Sequence, residues 1–427
     1  MRIAFFFAFA SLLFATEVKG QSVKNVLIHE WDGNDYQPCE PAIAICPSKP
    51  SSIVAGSVLS NVYTSSDTGK TWSRDILSSP MGVFGDPCIV AGKKSFYYFH
   101  LSNPTGEGWS SERLLDRIVV QRSCNHGRSW SKGAGIGENH PADQDKEWAC
   151  LSADESRLYA TWTQFDVYGS KDKKDSTVIL FSQSNAKAKK WSTPMRINQK
   201  AGDCLDGDNT VEGAVPSAGP NGEIYVAWAM GKDIWFDRSL DGGKTWLAND
   251  IRAAKILAGW DQSIPGIGRA NGMPVTCTDL SDGPHRGRIY INWTDQTENE
   301  KDTDVFVAYS DDKGDTWSQP IRVNNDPPGA HQFFTWMSVD PQTGGVHIVF
   351  YDRRGLSGNA TNVVVASSFD GGSTFENRIV SETPFEPSGN VFFGDYNNIS
   401  AVGGIVRPIW TRNDKGRLSV WTALLNF

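Results

Sequence analysis

A short turn pattern, Ser-x-Asp-x-Gly-x-Thr followed by Trp or Phe, recurs along this chain and limits its fold more than any other feature. It stands complete at Ser65-Asp67-Gly69-Thr71-Trp72, Ser239-Asp241-Gly243-Thr245-Trp246, Ser310-Asp312-Gly314-Thr316-Trp317 and Ser368-Asp370-Gly372-Thr374-Phe375. Worn copies occur at Ser123-Asn125-Gly127-Ser129-Trp130 and between Ser182 and Trp191. The pattern is local chemistry: the carboxylate accepts N–H bonds across the turn, the glycine takes a positive φ, and the tryptophan tucks beneath the hairpin into the core. Its work is structural, so we place no catalysis there.

A second element precedes each turn: a short strand, a polar turn and an apolar strand. Seven copies are readable, among them EPAIAICPSKPSSIVAGS, DPCIVAGKKSFYYFHLS, VPSAGPNGEIYVAWA and DYNNISAVGGIVRPIWTR. Strand, turn, strand, loop, strand, Asp-bearing turn, strand makes a four-stranded antiparallel unit. Units of this size repeated radially build an all-β single β-propeller. We expect seven four-stranded blades over residues 21–427, with six the alternative if the degenerate third repeat is misread. The seventh copy ends at RLSVWTALLNF, one strand short, and VLIHEW at residues 26–31 is free to supply that strand. Pairing the two ends closes the ring and removes exposed sheet edges.

Ahead of the repeats, Arg2 and the apolar run Ile3 to Ala15 read as a signal peptide over residues 1–20, giving a secreted or periplasmic protein. No later run reaches about 18 apolar residues, so no membrane span is expected. A net charge of −8, with basic and acidic residues interspersed, argues against nucleic acid as a partner. Seven cysteines follow no metal-ligand spacing, and the odd count leaves at least one thiol free. Cys88, Cys150 and Cys277 fall in buried strands, and Cys39 with Cys46 is the candidate bridged pair.

In a propeller the inner strands converge on one axis. Aligning the seven at the residue before the opening Pro, Trp or Tyr gives Glu40, Asp86, Glu147, Val215, Met273, Thr335 and Asp395. Four acids in one ring repel one another, raising some of their pKa values unless a cation joins them. Either they cap strands and accept bonds from neighbouring backbones, or they form a polar ligand or metal site at the channel mouth. Loops on the same face, opposite the Asp turns, add Lys146, Glu212, Arg269, His331, Trp336, Asp352, Arg353, Arg354, Tyr396 and Arg412. Carboxylates, guanidinium groups and aromatic rings together suit a sugar. His331 serves equally to satisfy a loop backbone, and Trp148 and Trp336 serve equally as core.

The Asp turn, its position between the last two strands of each unit and the leader resemble the BNR/Asp-box, sialidase-like β-propeller superfamily. That resemblance implies a retaining exo-glycosidase with a tyrosine nucleophile. Carried over residue by residue, Tyr396 becomes the nucleophile, Glu212 or Glu147 its polarising partner and Asp86 the acid/base. Arg269, Arg353 and Arg412 become a carboxylate clamp, with Glu40, His331, Trp336 and Asp395 lining the substrate. The Arg-Ile-Pro motif that supplies the first sialidase arginine is absent; Cys39-Glu40-Pro41 stands there, and an acid at that place repels a substrate carboxylate.

The expectation is therefore an exported enzyme hydrolysing terminal, acidic sugars from glycans. The alternatives are a non-catalytic propeller binding carbohydrate or protein, and a scaffold whose acids hold a structural Ca²⁺. No other cofactor is expected, and nothing in the sequence sets an oligomeric state.

Overall fold

The computed structural model describes residues 23–297, 299 and 301–427; the segment read as a leader lies outside them. The repeats form seven antiparallel sheets, each built on four strands, the seventh carrying the extra short strand Leu425–Asn426 against Ile405–Val406. In blade 1 the strands run Ala42–Ile45, Ile53–Ser57, Asn61–Ser65 and Ser73–Ile76 from axis to rim. The inner strands of blades 2 to 7 are Cys88–Ala91, Asp143–Leu151, Glu212–Ala218, Val275–Thr278, Gln332–Val339 and Asn398–Val402. Each touches the next around a closed ring. The six-blade alternative falls because the degenerate third repeat makes its own complete sheet, from Asp143–Leu151 out to Met195–Arg196.

Ring closure is as expected. Asn25–Glu30 is the outermost strand of blade 7 and pairs antiparallel with Arg417–Ala423, Val26 opposite Thr422. The first and last strands of the described residues therefore share one sheet. Among the described residues no helix is long and apolar enough to cross a membrane.

The turn motif does two jobs. Within the turn, Asp67 Oδ1 accepts from the Lys70 and Thr71 N–H groups at 3.0 Å, and Oδ2 accepts from the Thr71 hydroxyl at 2.7 Å. Ser65 Oγ donates to Asp67 at 2.9 Å and accepts from the Gly69 N–H. Burial is the largest single effect and raises these carboxyls, but the equivalent bonds from the Thr316 and Thr374 hydroxyls and N–H groups and from Ser310 and Ser368 together outweigh it and hold Asp312 and Asp370 down to about 2.

The second job is between blades. Gly314 has φ +91, and a Cβ there would lie 2.2 Å from the Phe236 ring of the preceding blade. Gly243 meets Phe181 in the same way, and Trp246 and Trp317 pack edge-on against Phe181 and Phe236, with centroids 5.0 and 5.1 Å apart. These two tryptophans thus pack on the neighbouring blade as well as under their own hairpin. At the blade 7 to blade 1 seam the buried Arg407 takes the aromatic's place, donating to Thr68 O at 2.7 Å and Leu425 O at 2.6 Å.

One expectation fails. Cys39 and Cys46 are both free and buried, as all seven cysteines are free. They flank the inner strand Ala42–Ile45, whose four extended residues alone span roughly 13 Å, beyond the Cα separation a disulfide tolerates.

Candidate functional site

At the end of the axis opposite the Asp turns, every blade but the fifth bends its chain through a left-handed residue as it enters the channel. These are Glu40 (φ 52), Asp86 (48), Lys146 (53), Gly213 (74), Phe334 (48) and Gly394 (94). In blades 3, 4 and 6 the ladder register breaks there, between Asp145 and Trp148, Glu212 and Val215, and Phe333 and Trp336. Two residues bulge out of pairing and point their side chains off the pleat. Four non-glycine residues in this sparsely populated region mark a strained collar.

The bulge corrects the sequence alignment. Glu40 and Asp86 share a backbone position with Lys146, not with Glu147, while Glu147 and Asp395 occupy the next position. The acids thus come from two consecutive levels, with a lysine at the upper one.

Asp395 is the hub. Its carboxylate is 1% exposed and takes Lys146 Nζ from blade 3 at 2.8 Å. Arg269 donates to it twice, from Nε to Oδ1 at 2.8 Å and from Nη2 to Oδ2. Asp395 N–H donates to Glu40 Oε1 of blade 1 at 3.1 Å, and its carbonyl accepts from Asn271 at 3.0 Å. Arg269 arrives on a two-stranded ribbon, Asp261–Gln262 with Ala270–Asn271, in the blade 4 to blade 5 connection. It also pairs with Asp206 at 2.9 Å, while Lys146 reaches Asp86 at 3.5 Å.

Burial alone would raise the Asp395 carboxyl, but Lys146 and Arg269 override it and hold it below the usual carboxylate range. Burial likewise opposes the charge on Lys146, and Asp395, Asp86 and Asp145 outweigh it. The remaining acids go the other way. Burial, then Asp86 and Asp395, push Glu40 well up; burial and Asp86 do so for Glu147; burial and Asp206 for Glu212. Burial brings Asp145 up to about 7, despite Lys146 beside it. The carboxyls of Glu147 and Glu212 and the Tyr396 hydroxyl are buried without a hydrogen-bond partner among the described residues.

Beneath the acids, Trp148, Trp336 and Tyr396 form a plug, with centroids 4.3 Å apart for the indole pair and 5.0 Å for Trp148 with Tyr396. All three are buried. Trp336 is thus floor rather than sugar platform. Burial, with Asp86, Glu40 and Glu147 nearby, pushes the Tyr396 phenol well above its ordinary value. Below the plug a cavity of about 600 Å³ is walled by all seven inner strands, with Ala44, Val90, Cys150, Ser217, Cys277 and Ser400 among its lining. The central acids lie on the other side of the plug.

Three other sequence-assigned residues are not brought to the acids. Arg412 bonds to Asp414, Thr383 and Pro384 at the rim. Arg353 lies over the Phe333 ring at 5.2 Å and donates to Thr361. Its backbone N–H donates to His331 O, and the His331 ring pairs with Thr303. The three-arginine clamp therefore does not form; Arg269 alone stands at the mouth, already paired with two carboxylates. Among the described residues no group of three or more His, Cys, Asp or Glu side chains has metal-holding geometry.

Sequence reasoning took Asp145, with His140 and Asp143, for part of a solvated loop, and passed over Asp206, Tyr168 and the rim aromatics. Tyr168 donates to Asp206, and Phe392 stacks under Arg269 at 5.6 Å. The readable signal was the DQDKEW run, an acid-cation-acid alternation in a strand otherwise bound for the core.

The family described as BNR repeat-like domain matches residues 156–393. Among solved structures, an ulvan lyase bound to a GlcA(1-4)Rha3S saccharide is similar over 92% of this chain and 94% of its own, at 12% identity and a TM-score of 0.54. The NanB sialidase of Streptococcus pneumoniae is similar over 80% of this chain and 68% of its own, at 10% identity and a TM-score of 0.50. The Trypanosoma rangeli sialidase, at 14% identity and a TM-score of 0.47, is covered over 56% of its length. At such identities the likeness is one of fold.

Proposed function

The chain belongs to the BNR repeat-like domain family, and from that premise we propose that it is a glycan-active enzyme that cleaves a glycosidic bond at the acid-lined mouth. The observation that carries this reading is the pair Asp86 and Asp145 on either side of Lys146. The Asp86 side chain is 13% exposed, and Asp145, 8% exposed, is buried next to it. Glycoside cleavage needs one carboxyl that keeps its proton and one that stays charged. Asp145, brought up to about 7, is suited to protonate the leaving oxygen. Asp86, paired with Lys146, is the candidate base or nucleophile. Tyr396, buried and held protonated, braces the floor.

The sugar that reacts is one without a carboxylate at the cleavage point. Arg269 is already paired with Asp395 and Asp206, and the Asp86 carboxylate stands at the opening beside Lys146. This narrows the reading away from a sialoside. Export rests on Arg2 and the apolar run Ile3 to Ala15.

The test is release of a chromophore from a panel of neutral, amino, deoxy and acidic aryl glycosides by protein lacking residues 1–20. We expect at least one neutral glycoside to turn over, and Asp86→Asn and Asp145→Asn to abolish turnover while retaining the wild-type circular dichroism. A silent panel with a folded protein overturns catalysis and leaves a carbohydrate-binding propeller.

A further inference from the structure

Outside the acid cluster, the rim of blades 2 and 3 presents an exposed indole, backed by the half-buried Phe84 and Tyr168, that the mechanism does not use. Trp109 is 72% exposed, the most exposed large hydrophobic side chain among the described residues. It sits on a short 3-10 turn, Gly108–Ser110, in the connection between the second and third strands of blade 2. That places it on the same face as Asp86. Its ring meets Phe84 edge-on at 5.8 Å and Tyr168 at 6.3 Å.

The turn is braced rather than loose. Asn103 accepts the Gly106 and Gly108 N–H groups through its carbonyl and side chain, at 3.1 and 3.2 Å. The base of the connection is tied by the buried Asp116, which takes Ser102, Arg113 and Arg117 together. Among the described residues no hydrogen bond uses the Trp109 indole N–H. A fixed ring with one open face and a free donor is what a sugar ring stacks on, apolar C–H face to π face, with a hydroxyl left over for the N–H.

This surface is joined to the mouth. Phe84 stands two residues before Asp86. Tyr168, the other wall, donates to Asp206, which pairs with Arg269 at 2.9 Å. A separate cleft of about 560 Å³ is lined by Asp208, Asp261 and Gln262.

We propose that Trp109, backed by Phe84 and Tyr168, is a sugar-stacking subsite for a saccharide unit adjacent to the one held at Asp86 and Asp145, so that the substrate is an oligosaccharide or polymer. The occupant is fixed by continuity with the mouth, and the proposal rests on the glycan reading above.

Affinity electrophoresis of the full propeller through gels containing sialylated, uronate-containing or neutral polysaccharides tests it without requiring turnover. We expect at least one polymer to retard the wild type, and Trp109→Ala to weaken that binding about tenfold, with Trp109→Phe recovering part of it. In turnover assays Trp109→Ala raises KM for longer oligosaccharides and leaves kcat and the rate on aryl monosaccharides unchanged. Trp109-dependent retardation without turnover keeps the subsite and removes the enzyme reading. Equal retardation of wild type and Trp109→Ala, retardation by no polymer, or an equal loss on aryl monosaccharides overturns the subsite.

Discussion

Arg269 holds Asp395 at two points from across the channel, the arginine on the ribbon before blade 5 and the aspartate at the start of blade 7. Lys146 of blade 3 reaches the same carboxylate at 2.8 Å, so one buried anion ties three sectors of the ring. Asp395→Asn removes the charge and leaves Lys146, 5% exposed, without its nearest counter-ion. We expect a loss of about 3 kcal/mol in urea unfolding, the scale on which an uncompensated buried charge destabilises. Adding Lys146→Met should recover much of that loss, because the pair is then replaced by neutral groups. A double variant less stable than Asp395→Asn would refute the arrangement.

The turn glycines are a second point of leverage. At Gly314 the backbone is left-handed and the Phe236 ring occupies the space of a Cβ. Gly314→Ala therefore combines backbone strain with overpacking at a blade interface, for a cost of about 3 kcal/mol. Gly242→Ala, with positive φ but nothing within 4 Å of the added Cβ, carries the strain alone and should cost visibly less. Equal losses for the two would show that the contact with Phe236 contributes nothing.

The turn aspartates should tolerate an amide better than an alkyl group. Blade 2 already uses Asn125, whose Oδ1 accepts from Ser129 N–H at 3.0 Å and Ser123 Oγ at 2.9 Å, while Nδ2 donates to Ser129 Oγ. Asp370→Ala strips bonds from Ser373, Thr374 and Ser368 and should cost about 1 kcal/mol. Asp370→Asn should cost less than half as much by the same denaturation measurement, and neither should change glycan binding on the opposite face.

The turn motif made the architecture readable because it is written in contiguous residues: Ser65 to Trp72 contains nearly every atom that its turn bonds need. Ring closure was readable for a related reason, a strand missing at one end and spare at the other. The channel was harder. A two-residue bulge leaves no mark on hydrophobic alternation, so the sequence puts Glu40 and Asp86 level with Glu147 and Asp395, whereas the structure sets them one position apart, although all four do converge.

Charge pairing was invisible for a deeper reason. Arg269, Arg353 and Arg412 look alike in sequence, yet one closes on Asp395, one lies on Phe333 and one turns to Asp414. Loop chemistry names the side chains; only the path of the ribbon and of the 2-to-3 connections decides which carboxylate each meets. Trp109 was overlooked because a single aromatic in a polar loop carries no periodicity.

Acid and base should act on stability in opposite directions. Glu40, Glu147 and Glu212 have folded pKa values well above their unfolded ones, and Asp145 is brought up to about 7. Each binds its proton more tightly when folded, so its contribution is complete below the unfolded carboxylate value of about 4 and is lost as pH rises through the folded value. For Asp145 that window runs from about 4 to about 7, and for the glutamates it extends higher. The turn acids Asp312 and Asp370, held down to about 2, contribute above about 4 and lose their contribution as pH falls toward 2. Urea midpoints measured at constant ionic strength should therefore be highest on the acid side of neutrality and fall toward pH 9. Glu147→Gln keeps the shape and carries no proton to lose, so it should match the wild type near pH 5 and exceed it near pH 9. A wild-type midpoint that climbs steadily from pH 5 to pH 9 would mean these carboxyls are charged in the folded protein, and the protonated collar around Asp395 would have to be abandoned.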